Sequence, residues 1–350
     1  MNILSLFDGI SCARVALERA GIIVDKYYSC EIDKYAQQIA FKNYPDTIQL
    51  GDVKNIRNNS EFVATEKIDL LIGGSPCQDL SIAKNNREGL KGSRSGLFWE
   101  YVRILKAVKP KYFVLENVAS MSKEAKETIT KALGVEPIMI NAVLVSAQNR
   151  KRLFWVGKLV GDKYKQVEIS QPEDRGIILK DILENGISAE YSRKYGIKNY
   201  GKEKSQTINA SDWRGINRNQ TQTCVVDEKS YCLPATYYKE NVKSLFKREK
   251  TGLTVRVGKL NEKGGQGDRV YSPIGKSVTL SANGGGRGAK TGLYETEKGF
   301  ARKLTAVECE RLQCLPDNFS AGISNTQRLK CLGNAFNVEV VAHILKNLKK

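Results

Sequence analysis

Apolar residues in this chain come in short runs, each closed by glycine, asparagine or an acid, and the runs alternate between two periodicities. Residues 2–7 predict a short strand, Asp8-Gly9-Ile10-Ser11 turns the chain, and residues 12–20 follow with helical spacing until Gly21 ends them. Residues 22–30 predict a second strand closed by Glu31, residues 34–43 a helix, and a third strand-like piece ends at Leu50-Gly51-Asp52-Val53. A buried strand over 68–72 stops at Gly73-Gly74, and an amphipathic helix spans 97–108. Residues 111–115 form another buried strand running into Glu116-Asn117-Val118. Two more apolar pieces, 138–145 and 153–156, flank Ser146-Ala147-Gln148-Asn149-Arg150-Lys151-Arg152. In an extended backbone Arg150 and Arg152 fall on the same side. This alternation predicts an α/β fold, a doubly wound and mostly parallel sheet, over residues 1–160.

From Gly161 the pattern changes. Through residue 301, glycine, asparagine, lysine and short β-branched runs replace helical periodicity, which predicts a second, smaller, irregular β-rich domain facing the substrate. Lys204-Ser205-Gln206-Thr207-Ile208-Asn209-Ala210 is echoed by Lys276-Ser277-Val278-Thr279-Leu280-Ser281-Ala282, a short match that reads as two equivalent units or as chance. Gly264-Gly265-Gln266-Gly267 and Gly284-Gly285-Gly286-Arg287-Gly288 read as loops in close backbone approach to something. Residues 302–350 return to helix, with an N-cap at Leu304-Thr305 and a last helix over 338–348, and are expected to pack back on the first domain.

Composition narrows the partner. Lys and Arg number 56 against 38 Asp and Glu, a net charge of +18, which favours a polyanion and above all nucleic acid. No apolar run approaches the ~20 residues of a membrane helix. The N-terminus carries no basic leader, so a cytoplasmic protein is expected. The 8 cysteines include no Cys-x-x-Cys pair, and Cys309, Cys314 and Cys331 match no zinc spacing, so no metal site is expected. The sole histidine, His343, lies on the apolar pattern of the last helix, which leaves little room for a Cys–His or Ser–His mechanism.

The candidate chemistry gathers at strand ends, where open α/β sheets bind ligands. Cys77, at the crest of Gly73-Gly74-Ser75-Pro76-Cys77, reads as a nucleophile or as a small buried residue in a tight turn. The first turn and the helix after it form a cradle for a polar cofactor, without the Gly-x-Gly-x-x-Gly spacing of dinucleotide binders. Glu31 and Asp52, at successive strand ends, are placed to accept from ribose hydroxyls and an exocyclic amine. The basic, glycine-bearing segment 84–96 reads as a mobile lid closing on a phosphate-bearing substrate, or as a plain exposed loop. Its Lys84, Arg87, Lys91 and Arg94, with Ser81 before it and Arg287 in the later glycine loop, are the candidate nucleic-acid contacts.

Phe7-Asp8-Gly9, Pro76-Cys77-Gln78, Glu116-Asn117-Val118, Gln148-x-Arg150-x-Arg152, the segment from Lys303-Leu304-Thr305 to Phe319, and Gly333-Asn334-x-Phe336 occur in this order. In that order and spacing the chain resembles the DNA cytosine carbon-5 methyltransferases over both its ends. The loop at Cys77 is similar to that of the animal de novo branch, and the large variable middle to bacterial or phage members. The resemblance implies S-adenosylmethionine as cofactor. Phe7 would stack on adenine, Asp8 and Gly9 line the methionine end, Glu31 hold the ribose, and Asp52 the adenine amine. Pro76 and Asn334 would border the pocket, with Ile10, Ile32, Val53 and Phe336 as neighbours. Cys77 would attack carbon 6 of a flipped-out cytosine, Glu116 hold the ring near nitrogen 3, and Arg150 and Arg152 contact the base or nearby backbone. No side chain stands out as the base that takes the carbon-5 proton, and water serves as well. Duplex DNA is the implied partner of a monomer at the bacterial or phage nucleoid, with a separate restriction endonuclease as a candidate partner. A tRNA cytosine methyltransferase and a catalytically silent DNA-binding regulator on the same scaffold are the alternatives.

Overall fold

Strand β1 (Asn2–Leu6) is buried along almost its whole length, and β4 (Leu70–Gly74) likewise. A strand apolar on both sides needs a layer on each face, and parallel sheets supply it through their crossover helices. The computed structural model describes residues 1–56, 62, 65–76, 96–184, 193–194, 254, 256–259, 266–282, 290–297 and 300–348. Within them β1 pairs in parallel with β2 (Lys26–Cys30) and with β4. Strand β2 carries β3 (Ile48–Gln49), and β4 carries β5 (Tyr112–Val118). Helices α1 (Cys12–Arg19), α2 (Lys34–Asn43) and α3 (Leu97–Val108) lie between these strands in sequence.

The sheet is parallel only as far as β5. Residues 137–141 form β6 (Pro137–Asn141), and the apolar piece at 153–156 is the centre of a ten-residue strand, β7 (Lys151–Val160). Strand β7 inserts antiparallel between β5 and β6, giving the order β3-β2-β1-β4-β5-β7-β6, and β8 (Lys163–Gln166) extends β7 as a hairpin. The expected strand over 138–145 stops at Asn141, whose side chain caps a 3-10 turn at Ala142–Leu144. The insertion puts Arg152 opposite Val118, at the carboxyl end of β5.

Alternate strand residues supply two cores. Ile3, Leu70, Ile72 and Val114 face one side, with Ala13 and Leu17 of α1. Leu4, Leu6, Leu71, Phe113 and Leu115 face the other, with Phe98, Tyr101 and Leu105 of α3 and Ile129 and Leu133 of α4 (Lys123–Leu133). On α4, Ala125, Ile129 and Leu133 are buried, a narrow apolar stripe that recurs every four residues. Ser122 caps its first turn and Gly134, at φ 73°, takes the left-handed position after the last, and the sequence reading passed over both signals.

The remaining described strands are short. Strands β9 (Arg193–Lys194), β10 (Arg256–Lys259), β11 (Arg269–Tyr271), β12 (Leu293–Glu297) and β13 (Phe300–Arg302) form a second sheet in the order β10-β11-β12-β13-β9. Helix α5 (Ala306–Leu312) opens with a capping box, Thr305 Oγ1 accepting from Glu308 N while Glu308 Oε2 accepts from Thr305 N. Helices α6 (Asn325–Asn334) and α7 (Val338–Asn347) complete the chain. Val338, Val341 and Ile344 of α7 share the core of α1, and Glu339 pairs with Arg19 at 2.6 Å. Among the described residues no helix is long and apolar enough to cross a membrane.

Candidate active site

The turn after β1 is held in a conformation that side chains resist. Phe7 (φ 57°), Gly9 (φ 61°) and Ser11 (φ 61°) all lie in the left-handed region. Asp8 holds the turn from inside. Its carboxylate accepts from the hydroxyls of Ser5 (2.5 Å), Ser11 (2.6 Å), Tyr27 (2.6 Å) and Ser29 (3.1 Å). Burial raises its pKa above the usual 3.8 even against those four bonds. The Asp8 side chain is therefore turned into the fold, and the expected contact with a ligand's methionine end is left to its backbone.

Glu31 closes the cradle from the end of β2. Its Oε2 accepts from Gly9 N at 2.8 Å, and its Oε1 from Ile32 N and Asp33 N, each at 2.8 Å. Burial raises this carboxyl as well. Beside it Ile32 is 72% exposed, an apolar shelf next to a carboxylate. A Cβ placed on Gly9 would meet nothing within 4 Å, so the space in front of the turn is open. Asp52 caps the turn at Val53–Asn55, accepting from Lys54 N at 3.0 Å. Ile10 and Val53 bury their side chains in the two cores, so they border the cradle only through their main chains.

A second group lies at the ends of β4, β5 and β7. Arg152 Nε donates to Glu116 Oε1 at 2.8 Å, both side chains being mostly buried. Asn117, next to Glu116, faces the loop after β4. Its Nδ2 donates to Ser75 O at 3.3 Å and to Ser75 Oγ at 3.1 Å, which fixes the residue before Pro76. Phe336 reaches in from the connection between α6 and α7 and lines one recess with Glu116, Arg150 and Arg152. Gly74 makes room for it.

The two arginines do not act alike. Arg150 is 3% exposed, and its guanidinium donates to the carbonyls of Leu280 (3.4 Å), Gly333 (3.1 Å) and Ala335 (2.9 Å). These three bonds go to main-chain carbonyls of the protein itself, where the resemblance implied contact with the base or nearby backbone. Gln148, two residues earlier, is fully buried, and its side-chain amide has no hydrogen-bond partner among the described residues.

The model of the C-5 cytosine-specific DNA methylases matches the chain over residues 1–350. The chain belongs to that family. As a member it is a DNA cytosine-5 methyltransferase. It is 28% identical to the orphan methyltransferase M.SPRI of Bacillus phage SPR, covering 99% of this chain and 97% of that one. It is 27% identical to the type II methyltransferase M.HhaI of Haemophilus parahaemolyticus, covering 99% and 94%. Among solved structures it shares its fold with the Entamoeba histolytica methyltransferase EhMeth, at TM-score 0.65 and 16% identity, covering 99% and 97% of the two chains. It shares it also with S. pombe Dnmt2, at TM-score 0.61 and 16% identity, covering 98% and 96%.

For the methyltransferase, the structure brings Glu116, Arg152, Phe336 and Ser75-Pro76 together, with Phe7, Gly9, Glu31, Ile32 and Asp52 along the neighbouring strand ends. Asn334 ends α6 and is exposed. Cys77, Ser81, Lys84, Arg87, Lys91, Arg94 and Arg287 lie outside the described residues, as do residues 84–95 of the segment expected to be a lid or an exposed loop, and the repeat unit 204–210. Sequence reasoning passed over Gly74 and Asn117 as site residues. Both were in quoted motifs, but a spacing argument cannot tell that one makes room for a ring and the other pins a loop. Lys276 was also missed. It is 2% exposed and donates from Nζ to the carbonyls of Val143 (3.1 Å), Ser146 (3.4 Å) and Ile177, and burial lowers its pKa.

Proposed function

We propose that the enzyme transfers a methyl group from S-adenosylmethionine to carbon 5 of a cytosine flipped out of duplex DNA, through a covalent adduct with Cys77. The observation that carries this is the Glu116–Arg152 pair beside Ser75-Pro76, one residue before that cysteine, at the sheet edge that also carries the cradle. The cradle suits the cofactor's chemistry. Ile32 offers a purine an apolar face, Glu31 and Asp52 offer acceptors, and the open space at Gly9 admits a chain alongside the turn. Bound there, S-adenosylmethionine supplies an electrophilic methyl on a sulfonium.

A base inside a duplex is out of reach and must leave the stack. Cys77 as thiolate then bonds to carbon 6, and the electron pair of the 5,6 double bond is pushed into the ring. Glu116 holds the ring at its nitrogen-3 side and gives a proton to nitrogen 3 as negative charge builds there, taking it back when the cysteine leaves. Arg152, bonded to Glu116, keeps that carboxylate aimed and presents its remaining donors to the base. Carbon 5 takes the methyl group as the methyl–sulfur bond breaks, its electron pair staying on sulfur as a neutral thioether. Its proton then leaves to water, the double bond re-forms, and Cys77 departs as thiolate. The cation-rich segments around 81–94 and Arg287 supply the phosphate contacts of this reading, and residues 161–301 the surface that reads the site.

The reading includes a monomer at work in a bacterial or phage-infected cytoplasm. The test is incubation of the full chain with duplex DNA, with tRNA in a parallel arm, and methyl-labelled S-adenosylmethionine, followed by sequencing for 5-methylcytosine. Methylation at one short DNA motif, abolished by Cys77→Ser without loss of the fold, is expected. Transfer only to tRNA, or full activity of Cys77→Ser, overturns the reading.

A further inference from the structure

Three stretches of main chain meet at one buried guanidinium. The first is the catalytic-edge stretch 147–150. The second, 277–282, belongs to the segment we assign to DNA reading. It is laced to the first by Ser277 N to Ala147 O at 2.8 Å, Asn149 N to Ser277 O at 3.1 Å, and the Thr279 hydroxyl to Asn149 O. The third is the end of α6 and the residues after it, 333–335. It abuts the second with no side chain between them, since a Cβ on Gly333 would lie 2.4 Å from Ala282 N and 2.6 Å from the carbonyl carbon of Ser281. Arg150 bonds across all of them, Nη1 to Leu280 O and Nη2 to Gly333 O and Ala335 O.

We propose that Arg150 is a positioning residue that couples the cofactor wall to the DNA-reading segment, so that cofactor and cognate DNA bind cooperatively through it. The inference rests on the reading above, in which Asn334 and Phe336 border the cofactor and residues 161–301 read DNA. A guanidinium is a planar fork with donors fixed in direction, so carbonyls held by it keep a fixed mutual geometry. Backbone against backbone at Gly333 and Ala282 leaves no compressible side chain to absorb a shift. A ligand that sets the position of either wall therefore sets the other. The resulting coupling free energy is reciprocal between the two ligands. Lys276 anchors the near end of the same segment to Val143, Ser146 and Ile177, so motion of the segment is confined to the end that Arg150 holds.

The measurement is the affinity of the full-length enzyme for S-adenosylhomocysteine by calorimetry, alone and with the duplex methylated in the preceding experiment. In the unaltered enzyme the duplex is expected to tighten binding about tenfold. In Arg150→Lys, which keeps the charge but not the fork, the tightening should fall to less than about twofold. Lys276→Met, which loosens the same segment while leaving Arg150 in place, should fall between the two, and serves if Arg150→Lys does not fold. A plain structural staple would lower thermal stability in both variants and leave the tightening unchanged, and that result overturns the proposal. So does an unaltered enzyme that binds both ligands independently. Failure to bind S-adenosylhomocysteine at all instead overturns the functional reading beneath it.

Discussion

Gly74 and Phe336 approach so closely at the end of β4 that a Cβ on the glycine would lie 2.9 Å from Phe336 Cε1 and 3.0 Å from Glu116 Oε2. The glycine is required by the space. One methyl group there has to displace either the ring or the carboxylate. Gly74→Ala is expected to keep the fold and lose most methyl transfer, because misplacing a catalytic group by about 1 Å costs on the order of a hundredfold. Trimming the ring should restore room, so Gly74→Ala with Phe336→Val should recover activity over Gly74→Ala alone. Single-turnover rates of the three variants settle this, and a fully active Gly74→Ala would show that the contact has no bearing on the chemistry.

The bond from Arg152 Nε to Glu116 Oε1 makes the two side chains one unit. Glu116→Gln should lower the methylation rate by about 10²–10⁴-fold. Arg152→Met should also be slow, because the carboxylate loses the group that aims it. Residues in direct contact do not add, and the stability effects of the pair should depart from additivity by about 0.5–3 kcal/mol. A double-mutant cycle read by denaturant unfolding and by single-turnover rate tests both statements, and strict additivity in both would refute the pairing.

Asn117 acts through its neighbour. It is 1% exposed, bonds to Ser75 on one side and accepts from Val118 N at 2.8 Å on the other. Removing a buried amide leaves its former partners unsatisfied, at a cost of about 1–3 kcal/mol. Asn117→Ala should therefore melt lower and also turn over more slowly, because Ser75-Pro76 loses the amide that fixes it. A variant that melts lower but retains the full rate would confine Asn117 to stability.

How much of this was legible depends on where the information sits. Strands β1, β4 and β5 were readable because strands buried on both faces are continuous apolar runs. Helices α4 and α6 were not, since α4 buries only Ala125, Ile129 and Leu133, and α6 only Cys331, Leu332 and Gly333. The antiparallel entry of β7 leaves no local mark, because strand direction depends on tertiary pairing. Glu116 and Arg152 were found by motif and do meet. The difference between Arg150 and Arg152, two residues apart in one motif, arises from segments more than a hundred residues away, at Leu280 and Ala335. Asp8 was legible as a turn residue but not as a buried acid, for its hydroxyl partners Ser5, Ser11, Tyr27 and Ser29 look unremarkable along the chain.

That buried acid gives the enzyme a pH signature. In the folded protein burial raises the Asp8 carboxyl above its ordinary 3.8. The folded state then holds the proton more tightly than the unfolded chain. Between 3.8 and the raised value the unfolded chain has released the proton while the folded one keeps it. Stability from this group is thus full below 3.8 and is lost as pH rises through the folded pKa, by up to about 1.4 kcal/mol per pH unit within the window. Asp8→Asn is neutral throughout and has no such slope. Its oxygen still accepts from Ser5 and Tyr27, while its amide donates to Ser11 and Ser29 hydroxyls turned to accept. Melting temperatures of both proteins across pH 4 to 8 should show the variant gaining on the unaltered enzyme as pH rises. Taking the difference removes the similar slope from Glu31, which both proteins carry. Parallel curves would mean that Asp8 titrates in the folded enzyme as it does in the unfolded chain, and that its four hydroxyls fully offset its burial.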